Sequence, residues 1–363
     1  MAIGQPRGLR HRIASLSRLL ATQKAVPVST SFADFLAAEH QDLERRIADF
    51  FCDRTDRADI DAYLYAPLAR FSRNGGKRHR PLICMLAARA VGGDAAAALD
   101  VATAIEHFQS AALIHDDIAD RGNTRRGAPC LHVTEGEGIA INCGDLELIS
   151  MTAAVLDDAN LGDELKIRLL RELVEMTRRT IEGQALDLGW ARDARYDLTV
   201  EDYLDMATRK TAWYSGAVPL ACGAIAGGGC EVQVEGLRSF GLACGLAFQI
   251  QDDLINLQPL DGGGKDVRSD ITQGKRTLIC VHALLDDAYH DELVDILESA
   301  STDPAVLERA VEIFRQTNSI AFASERAVEL IAHAKRALAG IELDAECRRL
   351  FISMADFFIE RVS

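Results

Sequence analysis

Apolar residues recur at three- and four-residue intervals along most of this chain, and that period commits it to helices. Phe32, Phe35 and Leu36 begin such a stripe, and Leu43, Ile47, Phe50 and Phe51 continue it. Ala327, Leu330, Ile331, Ala334 and Leu338 repeat the pattern near the end, followed by Leu350, Met354, Phe357 and Phe358. Alternating β-branched runs of strand length are absent. Breakers fall between the helical runs, at Asn74-Gly75-Gly76, Gly92-Gly93, Gly262-Gly263-Gly264 and Asp303-Pro304. The pattern predicts an all-α fold, a bundle of about a dozen helices. One helical domain is expected over 31–363, with 1–30 as a mobile tail. The stretch Arg7–Ala25 is Arg-rich and acid-free but lacks the continuous apolar core of a secretory signal. A targeting or membrane-touching segment stays open there beside the plain tail.

Charge and cysteine usage narrow the class. The formal charge of -15 argues against nucleic-acid binding, which needs a basic face. The nine cysteines are scattered, odd in number and without a CxxC pair. They read as reduced thiols of a cytoplasmic protein and not as a disulfide framework or zinc site. No uninterrupted apolar run reaches the roughly 18 residues of a membrane span, so no integral membrane segment is expected. The most apolar stretch, Ala217–Gly229, is short and ends in glycines, and reads as a buried helix and its end.

Two helical runs, Val101–His115 and Phe240–Ile250, are too apolar for a surface, and both lead into acid. The first meets Asp116-Asp117-Ile118-Ala119-Asp120. Positions i and i+4 put Asp116 and Asp120 on one helix face. Carboxylates gathered there repel unless a hard cation compensates, and magnesium favours such oxygens when shared with phosphates. Alone, the cluster equally describes a solvated helix end. The second cluster, Asp252-Asp253-Leu254-Ile255-Asn256, repeats the spacing, and two such helices face to face could hold several cations around one diphosphate. Cationic groups punctuate the chain as an anion site requires: Gly75-Gly76-Lys77-Arg78-His79-Arg80-Pro81, Arg125-Arg126-Gly127, Lys210-Thr211, Lys265 and Lys275. Singly each reads as a solvated charge. Together they exceed what one metal-bound diphosphate needs, which points to a second, metal-free diphosphate site.

The ordered set GGKRHRP, HDDIAD, RRGAP, GD, GQALD, KTAWY, FQIQDDLIN and GKDVRSDITQGKRT, spanning Gly75 to Thr277, resembles the trans-isoprenyl diphosphate synthases. The resemblance implies an all-α bundle around a deep central cavity, usually a homodimer. It implies that Asp116, Asp117 and Asp120 bind magnesium for an allylic diphosphate, with Asp252 opposite and Asp253 and Asn256 completing the second motif. About three magnesium ions per site are implied, held by oxygen donors. Arg125, Lys210 and Lys265 would hold the allylic diphosphate, with Lys275 nearby. Lys77, Arg80, Gln109 and Arg126 would hold isopentenyl diphosphate. His107 is not the expected ligand and reads as a packed histidine.

The implied reaction is ionisation, condensation and elimination. Cations stabilise the departing diphosphate, and a dry cavity protects the carbocation. Thr211, Gln249, Gln184 and Asp187 would face that cation. No side chain stands out as a general base, and in this family the released diphosphate takes the proton. The primer would be dimethylallyl, geranyl or farnesyl diphosphate. Ala111 and Ala112, just before Asp116, would leave a product tunnel open, with Phe108 as its next floor. The expected product is geranylgeranyl diphosphate, with chains of twenty-five carbons or longer as the nearest competitors. The rivals are a class I terpene cyclase or non-standard prenyl coupler on the same fold, and a non-catalytic partner subunit of a synthase. A cyclase has no use for Lys77, Arg80, Gln109 and Arg126 as a set. A non-catalytic subunit should have lost acidic ligands, whereas only Asn256 departs from the usual Asp.

Overall fold

The computed structural model describes residues 31–38, 41–52, 54–258 and 268–360. The 1–30 segment and Lys265 therefore lie outside the described residues. Helices account for almost everything else. The principal ones are α1 (Phe32–Ala38), α2 (Gln41–Phe50), α3 (His79–Ala90), α4 (Leu99–Ala119), α5 (Glu137–Leu156) and α6 (Asp163–Arg192). They continue with α7 (Val200–Ala207), α8 (Val218–Ala226), α9 (Glu231–Asn256), α10 (Leu278–Ala283), α11 (Ser319–Ala339) and α12 (Ala345–Glu360). A π-helical stretch, Thr208–Ala217, joins α7 to α8 without a break. Among the described residues, strands occur only as a hairpin of β1 (Thr124–Arg125) and β2 (Ala128–Pro129).

Helix α4 forms one wall of the core and packs on α3, α5 and α8. Its Val101, Ala102, Ala104 and Ile105 are fully buried, which explains why its sequence is apolar nearly all round. Helix α9 forms the opposite wall, against the π-helical stretch, α8 and α11. These backbones nearly touch: a Cβ on Gly245 would sit 2.8 Å from the Cα of Ala212. Only glycine fits there, so the helix bearing the second acidic cluster lies directly on the one bearing Lys210 and Thr211. Side-chain caps fix where helices begin. Thr199 and Asp202 cap α7 reciprocally, and Thr277 caps α10. At the chain ends, Phe32 of α1 packs edge-on against Phe357 and Phe358 of α12, and its N–H donates to Ser353 Oγ at 2.9 Å.

Helix α8 is buried throughout, as the sequence of Ala217–Gly229 implies. All nine cysteines are unpaired. Helix α5 is long and apolar enough to cross a membrane by length and composition, although Asp145 and Glu147 interrupt its apolar run. One face of α5 packs on α4 and the other exposes Ile141, Ile149 and Leu156, so its apolar length already has a use inside the bundle.

Candidate active site

The C-terminal ends of α4 and α9 open onto one cavity of about 610 Å³, within the range of small-molecule sites. Asp116, Asp117 and Asp120 line it from α4, and Asp252, Asp253 and Asn256 from α9. Arg80, Gln109, Arg125, Arg126, Asp187, Lys210, Thr211, Gln249 and Lys275 are among the other polar groups that line it. Residues separated by over a hundred positions thus share one hollow, because α4 and α9 present their acidic ends side by side.

Both cavity lysines are tied to carboxylates. Lys275 Nζ lies 2.9 Å from Asp120 Oδ2. Lys210 forms a buried ion pair with Asp187. Gly183, one turn before Asp187, lets α6 meet the Lys210 backbone, since a Cβ there would collide with it. Burial opposes the charge on both partners. For Lys210 the carboxylates of Asp187 and Asp116 outweigh burial and its pKa is raised, while for Asp187 the cations of Lys210 and Lys275 win and its pKa is lowered. Both ends of the pair are therefore charged at neutral pH. Gln184 does not line the cavity directly, but its Nε2 donates to Asp116 Oδ1 at 3.1 Å.

The β1–β2 hairpin explains how adjacent arginines reach different places. Arg126 and Gly127 have φ of 54° and 76°, the left-handed pair of a two-residue turn between antiparallel strands. Arg125, still in β1, donates through Nε to Asp117 Oδ1 at 2.8 Å, and its Nη2 comes within 3.8 Å of Asp116 Oδ2. Arg126, at the tip, turns the other way and donates to the Gly75 carbonyl. A Cβ on Gly76 would stand 2.9 Å from the Arg126 guanidinium, so the glycine loop is moulded around it. Burial, together with the nearby Arg78, Arg125 and Arg80, pushes the Arg126 pKa below its ordinary value although Glu106 opposes them. Positive charge held this close is the complement of a polyanion. Arg80 belongs to the same group: it lies over the Tyr214 ring at 4.5 Å and donates to Ser215 Oγ at 2.8 Å.

The oxygen donors suit a hard cation. Among the described residues no three His, Cys, Asp or Glu side chains converge on one point. Magnesium keeps water and phosphate oxygens and takes few protein ligands, so it does not require such a cluster. The residues that the sequence groups as metal ligands also have protein partners, Asp117, Asp253 and Asn256 among them. Asp117 is 2% exposed and engaged by Arg125. Asp253 accepts from Tyr203 Oη and from Gln249 Nε2, both at 2.7 Å. Burial, with Asp270 and Asp252 close by, pushes its carboxyl up to about 7. Asn256 spends both ends of its amide, donating to Ser269 Oγ at 3.0 Å and accepting from the Asp270 N–H at 3.2 Å. The amide thus both donates and accepts at this position.

Other site residues fall as follows. Thr211 Oγ1 donates to Gln249 Oε1 at 2.6 Å, so its lone pairs remain for the cavity. Lys77 is exposed on the glycine loop and is not part of the cavity lining. Phe108, Ala111 and Ala112 do not line the cavity either. Its stripe on α4 is Gln109, Leu113, Asp116 and Asp120, and at 100° per residue the other three turn onto neighbouring faces. Phe108 packs against Tyr214 at 5.6 Å and Ala111 is fully buried, while Ala112 keeps some accessible surface. His107 is 2% exposed, 2.6 Å from Glu147 and tilted against the Phe50 ring at 4.0 Å. Sequence reasoning passes over Tyr203, whose only signal is a position seven residues before Lys210.

Residues 61–314 match the family model for polyprenyl synthetase. The chain belongs to that family and is a prenyltransferase of the isoprenyl diphosphate synthase type. It is 36% identical over 330 residues to the short chain isoprenyl diphosphate synthase of Methanothermobacter thermautotrophicus, covering 89% of this chain and 99% of the relative. It is 38% identical over 318 residues to the geranylfarnesyl diphosphate synthase of Natronomonas pharaonis, covering 82% and 90%. The crystal structure of geranylgeranyl pyrophosphate synthase from Corynebacterium glutamicum, complexed with isoprenyl diphosphate and magnesium, superposes with a TM-score of 0.81 at 28% identity over 91% of this chain and 99% of that one.

Proposed function

We propose that this cavity joins isopentenyl diphosphate head-to-tail to an allylic diphosphate and makes geranylgeranyl diphosphate. One observation carries the reading: two acidic helix ends and two separately directed arginines, Arg125 and Arg126, share a single hollow. Asp116, Asp120 and Asp252 would hold magnesium, about three ions, with the remaining positions filled by diphosphate and water. When bound, the metal neutralises the charge that grows on the leaving diphosphate. Arg125, Lys210 and Lys275 orient that diphosphate, and Lys265 is proposed to join them from its motif alone. Arg80, Gln109, Arg126 and Lys77 hold the second, metal-free diphosphate. Thr211 and Gln249 offer oxygen dipoles to the cation formed, and the Asp187–Lys210 pair supplies a fixed charge beside it. The test is incubation of purified protein with radiolabelled isopentenyl diphosphate, each allylic primer and magnesium, followed by sizing of the products. Release of diphosphate without a lengthened labelled chain would favour a cyclase and end this reading.

Product length is assigned to Ala112, which sits one turn before Asp116 and keeps accessible surface. Ala112→Phe is expected to shift the main product from twenty to fifteen carbons. Chromatography of dephosphorylated products checks this, and an unchanged distribution would move the floor elsewhere.

The enzyme is proposed to work as a homodimer. Ile167, Val174, Ile181 and Leu188 recur every seven residues along α6 and are 53%, 62%, 59% and 42% exposed. The exposed Ile141, Ile149 and Leu156 of the neighbouring α5 extend this face, which is a poor one to leave in water. Val174→Glu combined with Ile181→Glu is expected to weaken dimerisation by about a hundredfold or more, because charge would be buried unpaired. Analytical ultracentrifugation reads the outcome.

A further inference from the structure

The half-site for isopentenyl diphosphate is built on a loop that has no regular structure of its own. Three of its four residues from Gly75 to Arg78 have positive φ: Gly75 at 79°, Gly76 at 144° and Arg78 at 45°. Glycine adopts such angles freely, but arginine does not, so something must hold Arg78 there. The side chain of Arg78 supplies the restraint. It is 1% exposed and is not among the groups lining the cavity.

Its guanidinium reaches three separate pieces of the fold. Nε donates to Glu44 Oε1 of α2 at 2.8 Å, and Nη2 also reaches Glu44 Oε2 at 3.3 Å. Nη1 donates to Glu106 of α4, which is itself buried, with 4% of its side chain exposed. Nη2 donates to the carbonyl of Ser72, closing the loop on its own beginning, at 2.6 Å. All the groups proposed to hold isopentenyl diphosphate depend on this node. Lys77 and Arg80 flank Arg78 in sequence. Gln109 is three residues beyond Glu106 on the same helix, close to one turn. Arg126 rests on Gly75 and Gly76. The allylic side hangs on other supports, since Arg125 is braced by Asp117, Lys210 by Asp187 and Lys275 by Asp120.

We propose that Arg78, with Glu106, is the positioning residue of the isopentenyl diphosphate half-site: a buried strut that sets the clamp without touching substrate. This rests on the proposed assignment of that half-site. A strut that served only overall stability would weaken both substrates alike. A strut of this half-site alone raises one Michaelis constant and spares the other.

The decisive variant is Arg78→Lys. It keeps a positive charge beside buried Glu106, so the carboxylate is not left alone, but a compact ammonium cannot span Glu44, Glu106 and the Ser72 carbonyl as a planar fork does. In the folded full-length enzyme with magnesium, the KM for isopentenyl diphosphate is expected to rise about tenfold or more, as a small misplacement of binding groups would cause. The KM for the allylic substrate is expected to stay within about twofold, since its interactions are unchanged. Arg126→Ala, measured alongside, tests the half-site itself, since Arg126 lines the cavity. If it leaves the KM for isopentenyl diphosphate unchanged, the half-site assignment fails. If it raises that KM while folded Arg78→Lys does not, or if Arg78→Lys raises both constants equally, the strut fails and the half-site stands. Should Arg78→Lys not fold, Glu44→Gln decides the matter, because Glu44 is 41% exposed and its loss loosens only one arm. A rise of about threefold confined to isopentenyl diphosphate is then expected, and no rise overturns the proposal.

Discussion

Asp116→Asn is expected to lower kcat by about a thousandfold while leaving the fold intact. Asp116 has 30% of its side chain exposed, at the mouth of the cavity, and its protein neighbours, Gln184 and Arg125, can still meet an amide oxygen. The substitution removes a full negative charge from where a cation must be held against the departing diphosphate. Amide oxygen is a neutral donor, and a hard divalent ion loses much of its attraction to it. Rapid-quench measurement of allylic bond cleavage, set beside a circular-dichroism melt, checks the prediction. A variant that melts like wild type but still ionises the substrate at a normal rate would remove Asp116 from the reaction. Raising magnesium is expected to restore only part of the rate.

Lys210→Met is expected to damage both chemistry and stability. Lys210 is paired with Asp187, whose side chain is 7% exposed. Removing one partner of a buried pair strands the other, at a cost of about 3–5 kcal/mol. The same change deletes a cation beside the leaving diphosphate, worth about a hundredfold or more in kcat. The two effects can be separated. The double variant Lys210→Met with Asp187→Leu strands no charge, so most of the lost melting temperature should return while the rate stays low. Recovery of rate along with stability would mean that Lys210 matters to the fold alone.

Much of the fold and of the site is legible in the amino-acid order itself, because the informative signals are local. Helical periodicity depends on neighbours three and four residues apart, and Asp116 with Asp120 needs only one turn to be recognised. The cations are legible as a set because no globular surface needs so many beside glycine turns. The remainder depends on how distant segments meet. Tyr203 reaches Asp253 fifty positions away, which nothing in its own segment announces. Arg78 sits beside Lys77, His79 and Arg80 in a run that reads as solvated charge, yet its side chain is 1% exposed. Asp117, Asp253 and Asn256 line the cavity with the rest of their motifs, yet each is also held by a protein group from outside its motif, which its own segment does not announce. Phe108, Ala111 and Ala112 likewise lie beside the cavity-lining stripe of their helix, because distance along a helix does not by itself give direction.

The two-residue turn at Arg126-Gly127 acts as a ruler. Arg125 and Arg126 are neighbours in the chain, yet one reaches Asp117 and the other the Gly75 carbonyl. On the proposed reading each attends a different diphosphate, so the distance between the two is set by one peptide unit and the hairpin is its gauge.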